Sequence, residues 1–404
     1  MNEIERNQYN IDLIHSKKLL VIAPTVPYHD QNSGDLRLFR LLEILSRNHD
    51  IVFLAQEDTG EGPREEKRYQ ASLEKLNVTA HVKNFSLVKV LRDNEFQAAI
   101  IEFYYMAGHY IPRIRILQPQ CRVIVDTVDI HYRRAYSKYG VTKNPEDLAN
   151  AEKTKREEIG LYGKADVIVA VTNEDAEVLS GDCPGLTIRI IPNIHDPSPA
   201  FEENGNRNLL FVGGFSHDPN VDAVLYFCER IFPQIRISVP ECGLTVVGSN
   251  PPEQIRQLSS ACIRIAGFVP SLAPVFRNSY ISVAPLRFGA GMKGKVGEAM
   301  SEGLPVVTTS VGAQGMDLVH RRNAMICDTP GEFGESVVEL FRNRQLYEEI
   351  RRNALEHILN MSGTAAVEKR VGEMMGQLEY IKPKQIRFLE KAGIAAHFLR
   401  KAFP

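Results

Sequence analysis

The sequence predicts an α/β fold of two doubly wound domains that face a central cleft. Short runs rich in β-branched residues recur along all 404 residues, each followed by turn residues and a stretch with helical spacing. The runs are continuously apolar rather than alternating, which is typical of parallel strands buried on both faces. Strand alternating with helix indicates βαβ units, and a polar segment at 199–208 separates two sets of similar size.

The predicted strands divide between the two halves of the chain. In the first half they are 19–24, 50–56, 98–105, 121–129, 165–172 and 187–193. In the second half they are 208–214, 243–249, 262–269, 280–286, 303–310 and 323–328. The clearest helical periodicity lies at 36–45, 221–232 and 337–359. Ligands of such sheets bind at the carboxyl ends of the strands, so the loops there form the candidate site.

Composition and charge exclude several classes of protein. Lys and Arg number 48 and Asp and Glu number 50, so the formal net charge is −2 and no overall positive field favours nucleic acid. The six cysteines form no CxxC motif, and a chain of this length needs no disulfides. The start has no apolar stretch typical of a signal peptide, and no apolar run approaches the ~20 residues that span a bilayer. We therefore expect a cytoplasmic protein.

A glycine-rich loop at 289–298 is the most informative stretch. It follows a predicted strand that ends at Leu286, and a helix is expected to start near Lys295. Glycines let backbone N–H groups approach an anion, and the positive end of the helix that follows favours negative charge there. Lys293 and Lys295 add positive charge, so the loop is predicted to bind phosphate.

Two general motifs fit this loop poorly. Gly289, Gly291 and Gly294 match GxGxxG, but a dinucleotide site normally has this motif after the first strand of its sheet. The start of a P-loop also fits, but Val296 occupies the position where that motif needs a hydroxyl for Mg²⁺. Both an NAD enzyme and an NTPase are therefore disfavoured.

The segment 285–310 resembles the donor-binding segment of retaining GT-B glycosyltransferases, the group called family 4 or glycosyl transferases group 1. That family has a glycine loop, then a Glu that opens a helix, then EAMA-x-G-x-P-V-V. This chain has GKVGEAMSEGLPVVTTS, which matches at Glu298, Ala299, Met300, Gly303, Pro305, Val306 and Val307. The resemblance implies that Glu298 binds the ribose hydroxyls of a nucleotide, for which a carboxylate is a natural acceptor.

The resemblance extends over most of the chain and implies a GT-B fold with two Rossmann-like domains. NLLFVGGFSHDPNVDAVLYFCERIFPQI at 208–235 resembles the first strand and helix of the C-terminal domain. SGDLRLFRLLEILSRNHDIVFL at 33–54 resembles the glycine loop, helix and second strand of the N-terminal domain. The implied domains are an acceptor-side domain at 1–198 and a donor-binding domain at 206–361. Helices within 362–404 are expected to rejoin the first domain.

The implied donor contacts come from both domains. His131, Lys295 and Glu298 are expected to carry the reaction, with His131 in a loop that faces the cleft and contacts the donor sugar. A surface or capping histidine is the alternative for His131, and Asp126 and Asp129 are alternative polar contacts. The remaining predicted donor contacts are Gly34 at the end of the first strand's loop, Gly214, Val269 near the base, Gly291, Met292 and Lys293.

Two departures from the family concern phosphate binding. The family often has a Glu eight residues before Glu298, where this chain has Ala290, and an Arg and a Lys where this chain has Gly214 and Pro219. Lys295 is the best candidate to supply the missing charge, with Lys293 or Arg287 next. No cluster suggests a metal, and no metal or other cofactor is expected.

The tail 382–404 carries six Lys or Arg against one Glu. Its apolar residues recur at helical spacing, at Ile386, Leu389, Ala396, Leu399 and Phe403. Two interpretations stay open. The tail contacts the inner face of a membrane or a lipid-linked acceptor, or it packs on the N-terminal domain.

The resemblance implies a retaining glycosyltransferase that moves a sugar from a nucleotide diphosphate donor to a saccharide or lipid-linked acceptor. One alternative on the same fold is a nucleotide-sugar 2-epimerase. It would need acid and base groups around the sugar and no acceptor groove. Another is a non-catalytic binding or scaffold protein, which the two departures leave open. The sequence does not specify the sugar, the base or the acceptor.

Overall fold

A computed structural model of the chain describes residues 18–57, 63–197, 207–289 and 291–385. The described residues form two parallel β-sheets with helices between consecutive strands. This is the α/β doubly wound architecture that the sequence predicts. Each predicted strand segment contains a strand, because both faces of each sheet are covered and the strands are continuously apolar.

The N-terminal sheet has seven strands in the order β3-β2-β1-β4-β5-β6-β7. The strands are β1 (Lys18–Ala23), β2 (Asp50–Ala55), β3 (Thr79–Val82), β4 (Ala98–Glu102), β5 (Arg122–Asp126), β6 (Val167–Ala170) and β7 (Ile188–Ile190). The helices are α1 (Ser33–Ser46), α2 (Pro63–Glu74), α3 (Leu87–Asp93), α4 (Tyr104–Leu117), α5 (His131–Thr142), α6 (Pro145–Tyr162) and α7 (Asn173–Asp182). Every neighbouring pair is parallel, and Glu102 pairs in register with Asp126.

The C-terminal sheet has six parallel strands in the order β10-β9-β8-β11-β12-β13. The strands are β8 (Asn208–Val212), β9 (Gly243–Val247), β10 (Ile263–Gly267), β11 (Ile281–Ala284), β12 (Val306–Thr308) and β13 (Met325–Ile326). The helices are α8 (Asp218–Tyr226), α9 (Phe232–Ser238), α10 (Glu253–Arg256), α11 (Ala273–Arg277), α12 (Gly294–Ser301), α13 (Ser310–Ala313), α14 (Pro330–Arg342), α15 (Arg344–Ser362) and α16 (Thr364–Gln377). A short 3-10 turn, Leu378–Tyr380, follows α16.

The last helix, α16, packs on the N-terminal domain. Val367, Val371 and Met374 are buried in the same cluster as Leu19 of β1. At the surface, Arg47 of α1 lies 2.8 Å from the carboxylate of Glu368. The chain therefore leaves the C-terminal domain after α15 and returns to the first domain. Of the predicted tail, residues 386–404 lie outside the described part of the chain.

Two predicted helices differ in detail from the structure. The segment 337–359 is not one helix, because Asn343 ends α14 and its side chain accepts a hydrogen bond from the N–H of Leu346 to begin α15. The segment 221–232 contains the later part of α8, a five-residue π-helical turn at Phe227–Ile231 and the first residue of α9. Within the described ranges no helix is both long and apolar enough to cross a membrane.

Candidate functional site

The glycine-rich loop joins β11 to α12 at the carboxyl edge of the C-terminal sheet. Gly291 has a φ of 67° and Gly289 a φ of 149°, conformations that L side chains rarely adopt. Helix α12 starts at Gly294, next to the predicted start, and its N-terminus has no side-chain cap. Its first N–H groups have no partner within the helix and carry the positive end of the helix dipole, so they can bind an anion.

Lys295 lies in the first turn of α12, and its ammonium extends toward β8. Nζ lies 4.7 Å from the centre of the Phe211 ring and donates a hydrogen bond to Oδ1 of Asn220. Asn220 in turn donates a hydrogen bond of 2.6 Å to the carbonyl of Gly214. Burial, and then the charge of Lys293, lower the pKa of Lys295 to about 7. Lys295 thus lies beside the Gly213–Gly214 loop, where the sequence lacks the family's Arg and Lys.

Lys293 precedes α12 and folds back on the loop. Its Nζ donates a hydrogen bond of 2.6 Å to the carbonyl of Gly291. Burial lowers its pKa to about 8, against the opposing effects of Asp175, Asp129 and Glu174. It therefore adds a second amine to the loop at a short distance from the N-terminal domain.

Glu298 lies one turn further along α12. Its carboxylate has no hydrogen-bond partner among the described residues, and burial, followed by the charge of Glu302, raises its pKa to about 7. A partly buried carboxylate without a hydrogen-bond partner lowers the stability of the free protein. A ligand that supplies hydrogen-bond donors removes this cost. Val269, after β10, and Met292 both pack against the apolar cluster on this side of the sheet, which includes Val296 and Met300.

The N-terminal domain closes directly over this loop. A Cβ atom added at Gly294 would lie 2.3 Å from Cβ of Ser33, and one added at Gly291 would lie 3.1 Å from Cβ of Asp129. The N–H of Gly289 donates to Oγ of Ser137 at 3.1 Å. Only glycine fits at Gly294, because any side chain would overlap the start of α1.

Gly34 lies in the first turn of α1 rather than in the loop after β1 as predicted. Asn32 caps this helix by accepting a hydrogen bond of 2.9 Å from the N–H of Asp35. The N-termini of α1 and α12 therefore meet at Ser33 and Gly294. Two helix N-termini, one from each domain, face the same point of the cleft.

His131 also differs from its predicted loop position, because it is the first residue of α5. The buried Glu158 carboxylate accepts hydrogen bonds from the N–H groups of His131 (3.1 Å) and Tyr132 (3.0 Å) and so holds the start of this helix. Nδ1 of the His131 ring lies 3.2 Å from Oδ1 of Asp129. Burial lowers the pKa of His131, which keeps the imidazole neutral near pH 7. His131 still lies at the carboxyl edge of the sheet, beside Asp129.

Several other predicted residues have structural partners. Asp126 forms an ion pair of 2.7 Å with Arg37, and both side chains are buried. Asp129 pairs with Arg134 at 2.7 Å. Arg287 pairs with Asp222 at the surface and packs on Tyr226, so it does not extend toward the loop.

Local sequence patterns assign no site role to three residues that contact the loop. Asn220, near the start of α8, accepts a hydrogen bond from Lys295. The N–H of Asn193 donates to Sδ of Met292 at 3.4 Å, and Ser137 accepts from Gly289. A local pattern gives no sign of these contacts, since each joins the two domains or two distant segments. Across the described residues, no group of three or more His, Cys, Asp or Glu side chains is placed to hold a metal ion.

Comparison with known proteins relates the C-terminal part of the chain to a known family. Residues 206–343, which contain the glycine-rich loop, Lys295 and Glu298, match the family model of glycosyl transferases group 1. An uncharacterized 44.6 kDa protein in the cps region of Klebsiella pneumoniae is 26% identical over 162 residues. That alignment spans 38% of this chain and 42% of the relative, which is less than half of its length.

Solved structures resemble the chain over most of its length. Sucrose-phosphate synthase from Thermosynechococcus elongatus superposes with a TM-score of 0.68 at 13% identity, covering 89% of this chain and 98% of that chain. HepE from Anabaena, in complex with UDP and glucose, gives a TM-score of 0.67 at 13% identity, covering 89% of this chain and 99% of that chain. At such identities the likeness shows the fold, which is GT-B. Together, the GT-B fold and the match of the C-terminal domain to glycosyl transferases group 1 support a GT-B glycosyltransferase.

Proposed function

We propose that the protein is a retaining glycosyltransferase that moves a sugar from a nucleotide diphosphate donor to a saccharide or lipid-linked acceptor. One observation carries the proposal. The uncapped N-terminus of α12, the Lys295 ammonium and the unpartnered Glu298 carboxylate lie within two turns of one helix at the cleft.

The donor's diphosphate would lie between the α12 N-terminus and the Gly213–Gly214 loop. Lys295 already reaches this loop through Asn220 and can donate to a phosphate oxygen instead. A bound diphosphate favours the charged amine, so the low pKa of Lys295 rises on binding. These groups supply positive charge without a metal ion, and none is required by the proposal.

The nucleoside would lie along the outer side of α12. The Glu298 carboxylate would accept hydrogen bonds from both hydroxyls of the ribose, which satisfies the acceptor that lacks a partner in the free protein. Val269, close to the end of β10, is the proposed contact of the base. HepE has been solved in complex with UDP, whereas the base that this chain binds is a question for experiment.

The proposed transfer needs no co-reactant besides the donor and the acceptor. The bond between the anomeric carbon and the β-phosphate oxygen breaks, and its electron pair goes to the leaving diphosphate. The acceptor oxygen bonds to the anomeric carbon on the same face, and its proton passes to the leaving phosphate. Positive groups arranged before the reaction stabilise the charge that develops on the diphosphate. Neutral His131 would contact the donor sugar from the other side of the cleft.

The retaining outcome is tested by proton NMR of the transfer product. The anomeric coupling constant of the new glycoside should match that of the donor. Inversion would contradict the retaining part of the proposal and leave the transfer itself intact. A new nucleotide sugar, formed without acceptor and epimeric at C2, would instead support the epimerase.

Membrane contact of the tail is a separate part of the proposal. The described part of the tail is fixed to the N-terminal domain, where the N–H of Lys384 donates to Asp166 at 2.6 Å. Sedimentation with vesicles of anionic lipid should retain the full chain at low salt. A chain that ends at Gln385 should stay in the supernatant. Equal behaviour of the two would exclude a membrane role for 386–404.

A further inference from the structure

Three aromatic residues surround His131 at the carboxyl end of β4. Phe103, Tyr104 and Tyr105 follow the strand directly, and we call them the aromatic platform. The Tyr105 ring stacks on the Phe103 ring, with 5.4 Å between centroids and 11° between planes. Tyr105 is 48% exposed, although aromatic residues of this size are usually buried more completely. The stack therefore leaves about half of the Tyr105 side chain open to the solvent.

The backbone is strained where it presents this ring. Phe103 has a φ of 64° and a ψ of 146°, a conformation that costs a residue other than glycine about 1–3 kcal/mol. The N–H of Phe103 donates a hydrogen bond of 2.8 Å to the carbonyl of Asp126 in the neighbouring strand. Strain of this kind concentrates at ligand sites, where it fixes a side chain that packing alone would not place.

The platform directly follows the buried residue Glu102 at the end of β4. Glu102 is 5% exposed, and no described residue forms a hydrogen bond with its carboxyl group. The Arg37 guanidinium nearby donates to Asp126 and to the carbonyl of Ile191 instead. Burial raises the pKa of Tyr105 to about 12, and the charges of Glu102 and Glu57 act in the same direction. Burial, and then the charges of Asp126 and Asp35, raise the pKa of the Glu102 carboxyl group well above its usual range, which favours its protonated form.

The platform lies close enough to the proposed reaction centre to hold a second substrate. The centroid of the His131 ring is 5.2 Å from that of Tyr104, 5.7 Å from that of Phe103 and 6.2 Å from that of Tyr105. A pyranose ring resting on Tyr105 would therefore lie next to the donor sugar that His131 is proposed to contact.

We propose that Tyr105 is the stacking platform for an acceptor pyranose ring. The inference deepens the proposed function and rests on it. It implies that the acceptor has a saccharide unit at the end to which the new sugar is transferred. A pyranose has an apolar face of axial C–H groups that matches an exposed aromatic ring. Its ring edge carries hydroxyl groups, which can form hydrogen bonds with the Glu102 carboxyl group.

The absence of tryptophan from the sequence gives a direct experiment. Tyr105→Trp introduces a single indole at the platform, and Tyr380→Trp, at a tyrosine that is 81% exposed on the 3-10 turn, is the matched control. The probes are the methyl pyranosides of glucose, galactose, mannose and rhamnose. Each is titrated in the presence of the nucleoside diphosphate that stabilises the wild type.

We expect a saturable blue shift of the emission of the Tyr105→Trp variant with at least one pyranoside and no shift with the Tyr380→Trp variant. Saturation-transfer NMR on the unlabelled chain gives a second readout. Signals from the pyranoside C–H protons should fall about tenfold in Tyr105→Ala and persist in Tyr105→Phe.

The inference is overturned if neither readout distinguishes Tyr105 variants from controls while nucleotide binding is unchanged. Nucleotide binding is measured on the same samples, so failure of the proposed function can be told apart from failure of this inference. Absence of nucleotide binding by the wild type would contradict the proposed function. Nucleotide binding without any pyranoside response would contradict only the aromatic platform.

Discussion

The Nζ atom of Lys295 in α12 lies 4.7 Å from the centre of the Phe211 ring in β8, although the two residues are far apart in the sequence. Helix α12 thereby projects a cation from its first turn to the carboxyl end of β8. This position is next to Gly214 and Asn220, where the sequence has no arginine or lysine of its own. Lys295 of α12 can thus supply the positive charge that the Gly213–Gly214 loop lacks.

Lys295→Met should weaken binding of a nucleoside diphosphate about 10- to 100-fold, because it removes a charged hydrogen bond worth about 1.5–3 kcal/mol. Calorimetric titration measures the loss. The matched control is Arg287→Met, since Arg287 is paired with Asp222 at the surface. Equal losses in both variants would refute the specific role of Lys295.

Glu298→Gln should remove the preference for a ribose diol. The wild type should bind a nucleoside diphosphate more tightly than its 2′,3′-dideoxy analogue, and the variant should bind both alike. Competition binding with the two ligands measures this difference. A preference that survives in Glu298→Gln would mean that another group holds the ribose.

Donor binding should have a bell-shaped pH dependence with a maximum near pH 7. Lys295 has a pKa of about 7 and must be protonated, so affinity falls as the pH rises above this value. Glu298 also has a pKa of about 7 and must be ionised, so affinity falls as the pH drops below it. Lys295→Met should remove the alkaline limb and Glu298→Gln the acid limb. A flat profile in the wild type would contradict both assignments.

His195 should make the fold sensitive to acid. Burial lowers its pKa from 6.5 to about 4, and its Nε2 has no hydrogen-bond partner in the described part of the chain. As the pH falls, His195 is protonated in the unfolded chain before it is protonated in the folded chain. The free energy of unfolding is therefore at its full value above pH 6.5 and decreases as the pH drops toward 4. Between pH 7 and pH 5 this group alone costs about 2 kcal/mol.

Denaturant unfolding of His195→Leu at several pH values tests this expectation. The variant should lose less stability than the wild type between pH 7 and pH 5, whatever packing change it shows at pH 8. Parallel stability curves for the two proteins would show that His195 does not titrate in this range.

The Arg37–Asp126 pair should contribute to stability and not to donor binding. Asp126→Asn leaves the buried Arg37 charge without its ion-pair partner, which costs about 3–5 kcal/mol of unfolding free energy. Chemical denaturation measures the change. Replacing both residues by apolar ones should recover much of it, and a double variant that is less stable than Asp126→Asn would contradict the pairing.

The strands can be predicted because a parallel strand buried on both faces has a continuous apolar run. The exception is β3, whose sequence TAHV alternates between exposed and half-buried residues at the edge of the sheet. It carries too few apolar residues to be recognised. The start of α12 is predictable to within one residue because the glycine loop marks it locally.

Contacts between distant segments are not predictable from local patterns. The sequence predicts His131 in a loop, but Glu158, 27 residues later, accepts from the first N–H groups of α5 and makes a helix start there. The approach of Ser33 to Gly294 likewise joins two domains. The roles of Lys295 and Glu298 stay predictions, since their positions fit a donor site without testing it.

A thermal-shift screen tests the central claim most directly. The purified protein is heated with UDP, GDP, ADP and CDP and with their common sugar conjugates. One nucleotide should raise the melting temperature, with a stabilisation of about 2.7 kcal/mol at a concentration 100 times its dissociation constant. The shift should be lost in Lys295→Met. A flat response of the wild type across the whole panel would contradict a nucleotide-sugar donor site in this cleft.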